Sequence, residues 1–314
     1  MRKIIPISVL CLYLLYYLIN LLPVIQPQTA KQSSQERAQA IQKIPAFDHV
    51  IWVVLENRNY DEVIGNPQMP YLNRLASENV LLDQYYAVRH PSLPNYIALV
   101  SGDTFRISKD CIDCFLKGEN LADRIEAAGH TWKTYQEDMP SSCFIGNQGQ
   151  YVQKHNPFIY FDSIRLDAER CQRTIVPLDE LKRDLAENNL PDFVFISPNL
   201  CHSGHDCGAE EVDQWLQQTV ETLRNAPALG GSSLIVISYD EAKKTNTESC
   251  CGVFSRGGGR VATVLISPVA KAQFIDSTRY SHYSLLKTIL LAWSMPDLAS
   301  TGSPSTTPIT APWE

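Results

Sequence analysis

The sequence has no run of lysine and arginine, and its basic residues are outnumbered: 27 Lys+Arg stand against 34 Asp+Glu, for a formal net charge of −7. Nucleic-acid backbones are held chiefly by clustered positive charge, so an acidic chain without a basic block is a poor nucleic-acid binder. There is no internal repeat, which excludes solenoids and propellers. Charged residues are scarce (19%) and hydrophobic ones plentiful (44%), which excludes a disordered, collagen-like or coiled-coil chain. A globular protein of 314 residues remains, with room for one large domain or two small ones.

Acidic residues are missing altogether from the beginning of the chain. Arg2 and Lys3 precede an apolar run from Ile4 to Ile25, interrupted only by Pro6, Ser8, Asn20 and Pro23. Residues 1–25 therefore read as an export signal or an N-terminal membrane anchor. The run reaches the roughly 20 residues that cross a bilayer. No clean small-x-small cleavage site follows, Gln28-Thr29-Ala30 being the nearest. Anchor and cleaved signal both fit. In either case the positive end stays inside and the remainder is exported, membrane-anchored facing outward or secreted or periplasmic.

Of nine cysteines, Cys11 falls in the apolar run. The other eight are Cys111, Cys114, Cys143, Cys171, Cys201, Cys207, Cys250 and Cys251. An even number beyond an export signal points to disulfides, although eight cysteines allow about a hundred pairings. Short loops favour Cys201–Cys207 and Cys143–Cys171. A zinc site in Cys201-His202-Ser203-Gly204-His205-Asp206-Cys207 is the competing reading, but its spacing matches no common structural zinc pattern.

Residues 26–44 are polar and rich in Gln, Ser, Lys and Ala, the composition of a linker. Ser300–Pro312 is rich in Ser, Thr, Pro and Gly, so 297–314 is predicted to be an irregular tail. Between them, 45–296 reads as one α/β domain. Five short apolar runs have strand length: His49–Leu55, Thr131–Tyr135, Phe193–Ser197, Ser233–Ser238 and Val261–Ser267. Near-continuous apolar runs suit strands buried on both faces of a parallel sheet. Helical patterns separate them. Val212, Trp215, Leu216, Thr219, Val220 and Leu223 mark one buried helical face, Asn120 caps a helix that Gly129 stops, and Ser281 caps another. Alternating strands and helices predict an α/β fold: a doubly wound, mostly parallel sheet flanked by helices.

Ligands of such sheets sit beyond the carboxyl ends of the strands. Two runs end in paired oxygen donors there, Glu56-Asn57 after Leu55 and Asp240-Glu241 after Tyr239. Either dipeptide alone is an ordinary turn. Four hard oxygen donors on one sheet can hold a divalent cation. In His90-Pro91-Ser92-Leu93-Pro94-Asn95-Tyr96, Pro94 fits a first helical turn, which puts Ser92 at the helix start and Gly102 past its end. Ser92 is then a cap, a nucleophile, or both. Of seven histidines, His155 lies in Tyr151–Pro157, His205 follows a strand and His282 opens a helix, and together they can bind phosphate oxygens or protonate a leaving alkoxide.

Five blocks occur in order. They are Glu56-Asn57-Arg58-Asn59-Tyr60-Asp61; His90 to Tyr96; Pro198-Asn199 with His205-Asp206; Asp240-Glu241; and His282-Tyr283-Ser284-Leu285-Leu286-Lys287-Thr288-Ile289. This set resembles the bacterial phosphoesterase family that groups acid phosphatases with phospholipases C of the phosphatidylcholine type, within the alkaline-phosphatase-like superfamily. The resemblance spans about 47–293 and implies an alkaline-phosphatase-like fold. It implies one divalent metal ion held by Glu56, Asn57, Asp240 and Glu241, with Ser92 completing the shell as nucleophile. It places His155, His205 and His282 around the phosphate. Lys154-His155-Asn156-Pro157 is similar to the shorter, phosphatase-like members, and phospholipases C usually carry added C-terminal domains, so a phosphatase is expected. Sulfatases of the superfamily have Arg four residues after the nucleophile, where Tyr96 stands here, which argues against sulfatase activity. Asn59-Tyr60 departs from the commoner Ser-Phe or His-Phe.

The implied reaction is metal-assisted hydrolysis of a phosphomonoester. Ser92 attacks phosphorus, His205 or His282 protonates the alkoxide, and water cleaves the phosphoserine. The partner is a phosphate ester, a small molecule or a lipid headgroup; membrane contact runs through the N-terminal segment if it stays uncut. The alternatives are a phospholipase C acting on phosphodiesters, and a catalytically silent, membrane-tethered binding domain.

Overall fold

All five apolar runs are strands of one eight-stranded sheet. The structure, a computed structural model, describes residues 27–253 and 256–313. The chain divides into two compact units, Met1–Gln39 and Ala40–Glu314. The apolar run Ile4–Ile25 lies outside the described residues, among which no helix is long and apolar enough to cross a membrane. The polar stretch expected as a linker is helical, Pro27–Lys43.

In chain order the strands are β1 (Val50–Leu55), β2 (Val80–Leu82), β3 (Tyr85–Tyr86), β4 (Trp132–Gln136), β5 (Ile175–Pro177), β6 (Phe193–Ser197), β7 (Leu234–Tyr239), β8 (Thr263–Ile266), β9 (Phe274–Asp276) and β10 (Tyr280–Ser281). The large sheet runs β5-β4-β6-β1-β7-β8-β2-β9, while β3 and β10 form a separate pair. β1 lies at the centre, parallel to β6 on one side and to β7 on the other. Only β8 runs against its neighbours β7 and β2. The sheet is therefore mostly parallel, as the strand composition predicted. All six residues of β1 and all six of β7 are buried, because helices cover both faces. Burial of each large apolar side chain contributes roughly 1.5–3 kcal/mol.

Helix Ala209–Arg224 buries Val212, Trp215, Leu216, Val220 and Leu223, the face its spacing marked out. Asn120 caps Leu121–Ala127 by accepting from the amides of Ala122 and Asp123. Helix Ser92–Ser101 is buried along its whole length and ends at Gly102, whose φ is 74°. A Cβ there would stand 2.4 Å from the Leu298 carbonyl oxygen, so only glycine lets the C-terminal segment close on this helix. That segment contains two short 3-10 turns and buries Leu298 and Ile309.

Cys143–Cys171 and Cys201–Cys207 are disulfides, as loop length suggested; Cys111–Cys114 and Cys250–Cys251 are the others. The zinc reading of Cys201–Cys207 is thereby overturned, since the two sulfurs are bonded to each other. Closing the longer loop, 28 residues apart, removes about 3–4 kcal/mol of unfolded-chain entropy, against about 2–3 for the 6-residue one. The smaller loop carries His202 and His205, so its effect is on position as much as on stability.

Candidate active site

β1, β6 and β7 all deliver their carboxyl ends to the same edge of the sheet. β1 runs into Glu56 and Asn57. Asn57 has a φ of 58°, a left-handed conformation that asparagine tolerates, and it turns the chain so that its own N–H donates to Asp240 Oδ1 at 3.3 Å. β7 runs into Asp240 and Glu241, and the Glu241 amide donates to the same Oδ1 at 2.6 Å. Asp240 Oδ2 is buried without a hydrogen-bond partner.

Ser92 is the first residue of its helix, with Pro91 as cap. It is buried, and its Oγ lies 3.0 Å from Glu56 Oε2 and 3.3 Å from Glu241 Oε1. A hydroxyl has one proton to donate, so it serves one carboxylate at a time. The hydroxyl expected as cap or nucleophile thus faces two carboxylates delivered by two strands. Its hydroxyl caps nothing, because it turns to the carboxylates and the cap position belongs to Pro91.

Three buried carboxylates in one place shift each other. Asp240 is pushed well above the usual carboxylate range, by burial first and then by Glu56 and Glu241. Glu241 is raised by burial and by Glu56, although His90 and Ser92 work against the rise. Glu56 goes the other way. Burial raises it, but His155, Lys154 and His205 outweigh that and hold it at about 2. The His155 Nε2 to Glu56 Oε1 distance is 2.6 Å. Glu56 Oε2 accepts from Ser92 and from the Asn57 side-chain amide.

The histidines separate into different roles. His155 is buried against Glu56 and stacks on Tyr96, with ring centroids 5.0 Å apart. Tyr96 occupies the position where sulfatases carry Arg. His205 is about one-third exposed; its Nδ1 lies 2.6 Å from Asp206 Oδ1, and its ring is 6.3 Å from that of His155. His282, expected around the phosphate, is not placed for it. Its Nε2 donates to the Asp240 carbonyl at 2.6 Å and its Nδ1 faces the Tyr85 hydroxyl at 3.2 Å. Burial pushes it down to about 4. It is a neutral ring that braces Asp240 from behind.

One participant was not assigned from sequence. His90 Nδ1 lies 2.5 Å from Glu241 Oε2 and its Nε2 2.7 Å from the Asn246 carbonyl. Burial lowers its pKa, but Glu241 and that carbonyl more than offset this and raise it. Its place two residues before Ser92 was the available signal.

Among the described residues, no group of three or more His, Cys, Asp or Glu side chains stands ready as a metal cage by itself. The oxygen donors expected to hold a cation do converge. Glu56 Oε2 accepts from Ser92 and the Asn57 amide, while Glu56 Oε1 is buried without a hydrogen-bond partner, as are both ring nitrogens of His155 despite the 2.6 Å approach of Nε2.

Residues 66–296 match the Phosphoesterase family, a span that holds every expected site residue except Glu56 and Asn57. The chain is 31% identical over 265 residues to an acid phosphatase of Aspergillus fumigatus, covering 81% of this chain and 56% of that protein. It is 29% identical over 279 residues to a phosphatidylinositol-3-phosphatase of Mycobacterium tuberculosis, covering 87% of this chain and 85% of that one. Fungal as well as bacterial proteins are thus among its relatives. The chain spans about 60% of the length of the first curated relatives it matches. Among solved structures, an alkaline phosphatase superfamily protein from Vibrio parahaemolyticus aligns with a TM-score of 0.57 at 11% identity, covering 87% of this chain and 77% of that one.

Proposed function

The chain belongs to the phosphoesterase family, and on that premise we propose that it hydrolyses phosphate monoesters with Ser92 as nucleophile. One observation carries this reading. A buried hydroxyl in the first turn of a helix stands within 3.3 Å of two carboxylates supplied by β1 and β7. The acid-phosphatase relatives favour a monoester, and the phosphatidylinositol-3-phosphatase relative extends the substrate class to lipid headgroups. Four disulfides suit an oxidising compartment, which supports an exported domain.

The donor set fits a hard divalent cation. Asp240 Oδ2 and Glu56 Oε1 are both buried without a hydrogen-bond partner, and burial together with the neighbouring carboxylates raises Asp240 and Glu241. Glu56, Asn57, Asp240, Glu241 and Ser92 would hold the ion. When bound, it supplies charge neutralisation and a lowered hydroxyl pKa at Ser92.

The protein's own groups do the remaining work. Ser92 passes its proton to one of the two carboxylates beside it, and Oγ bonds to phosphorus as the ester P–O bond breaks. His205, partly exposed and oriented by Asp206, gives the departing alkoxide its proton. Water then attacks the phosphoserine and gives a proton to His205 as the P–Oγ bond breaks; the carboxylate returns its proton to Ser92 Oγ, and inorganic phosphate leaves. His155 and Lys154 keep Glu56 ionised throughout.

Phosphate release from 4-nitrophenyl phosphate by the full chain, with and without chelator, tests the reading. Acid-quenched enzyme is expected to carry one added phosphoryl group, absent from Ser92→Ala, which should lose turnover at an unchanged melting temperature. A Ser92→Ala protein with wild-type phosphate release rules out the serine route. Cleavage of phosphatidylcholine with no phosphate release from monoesters would reassign the enzyme to phosphodiesters.

A further inference from the structure

Asp110 and Lys154 join the two halves of the site. Asp110 Oδ1 accepts the Leu93 N–H at 3.1 Å, one residue beyond Ser92 in the first turn of its helix. Asp110 Oδ2 lies 3.3 Å from Lys154 Nζ. Lys154 Nζ lies 3.4 Å from His205 Nε2, the ring nitrogen opposite the Nδ1 contact with Asp206. Lys154 also precedes His155, and its charge acts on Glu56 and Asp240. The helix amide thus fixes Asp110, Asp110 fixes the lysine, and the lysine stands between the nucleophile's helix and the histidine pair.

The ammonium is held but not used up. Charge-assisted N–H···O bonds close to about 2.7–2.9 Å. Lys133 and Asp184 in this protein close to 2.5 Å, whereas the Lys154–Asp110 contact stays at 3.3 Å. An ammonium has three donors; Asp110 takes one and His205 Nε2 takes another only while that nitrogen is unprotonated, so at least one is left over. It is also wet at one side, with 17% of the side chain exposed, so a substrate can reach it. The transferring phosphoryl group spreads negative charge over its non-bridging oxygens beside three carboxylates already there. Fixed positive charge aimed at those oxygens is what such a transition state requires.

We propose that Lys154 is a further catalytic residue that donates to a non-bridging oxygen of the phosphoryl group during transfer, and that Asp110 is its positioning residue. This rests on the phosphomonoesterase reading above, and no bond beyond those of that reaction is made or broken.

The test uses the full chain with Lys154→Met, Lys154→Arg, Asp110→Asn and the Lys154→Met/Asp110→Asn pair. It reads kcat and KM on 4-nitrophenyl phosphate, direct binding of orthovanadate by calorimetry, and melting temperature. Removing one such donor typically lowers kcat about 100-fold to 1000-fold. Lys154→Met is expected to fall in that range and to weaken vanadate, a mimic of five-coordinate phosphorus, by a similar factor. Its KM should move less than about threefold, and Lys154→Arg should recover part of the loss. Asp110→Asn keeps an acceptor for the Leu93 N–H while losing the charge that steadies the lysine, so kcat falls roughly tenfold. The pair should be no worse than Lys154→Met alone, because Asp110 acts through the lysine. Wild-type kcat and vanadate binding in Lys154→Met overturn the proposal, as do losses that multiply in the pair, or a kcat deficit explained wholly by unfolded protein. Failure of the underlying reading looks different: the wild type itself would release no phosphate.

Discussion

Glu241 is gripped at both oxygens: His90 Nδ1 stands 2.5 Å from Oε2 while Ser92 Oγ stands 3.3 Å from Oε1. The carboxylate beside Ser92 is therefore oriented by a residue only two positions before that serine. Removing the ring lets a buried carboxylate swing and leaves it short of a partner. His90→Ala is expected to lower kcat about tenfold to a hundredfold on 4-nitrophenyl phosphate, with a smaller change in KM. Steady-state kinetics check this, and a kcat within twofold of wild type would show that Glu241 needs no such grip.

Asp240 should trade stability for function. Its pKa is raised in the folded state, so ionising it opposes folding, and the penalty grows as pH rises above its unfolded value of about 4. Asp240→Asn removes the charge and keeps an acceptor for the amides of Asn57 and Glu241. In chelator at neutral pH this variant should be more stable than wild type, and inactive. Divalent cations should raise the melting temperature of wild type and leave the variant's unchanged. A variant that melts below wild type in chelator would contradict the account of crowded carboxylates.

His282 sets an acid limit. Its folded pKa is lowered to about 4 from an unfolded value near 6.5, so it contributes stability above about pH 6.5 that is lost as pH falls through 4. The full loss is about 3 kcal/mol. His282→Gln keeps a donor for the Asp240 carbonyl and removes the titration. Denaturant unfolding of the metal-free protein between pH 7 and pH 4 should show a shallower decline for the variant; parallel curves would mean that the ring is not held neutral.

The long apolar runs announced themselves. His49–Leu55, Phe193–Ser197 and Ser233–Ser238 each stand within a residue of a strand end, because a strand buried on both faces has no room for polar residues. β2, β5 and β9 have three residues apiece and were not singled out, since so short a piece carries no period to read. Glu56, Asp240 and Glu241 were legible for a simple reason: they follow strands, and strand ends are where a parallel sheet keeps its chemistry. Ser92 was legible through Pro94 and Gly102, which bracket its helix.

Sequence alone determined the class of fold, the ends of the helix that carries Ser92, and the strand-end positions of Glu56, Asp240 and Glu241. Those are local matters of periodicity, backbone dihedrals and residue type. Tertiary structure decided the roles. His282 turned inward to the Asp240 backbone, His90 reached Glu241 across 151 positions, and Asp110 reached the Ser92 helix and Lys154 at once. A histidine's task depends on which charges and carbonyls surround it and how much water remains, and those neighbours are brought together only when the sheet closes.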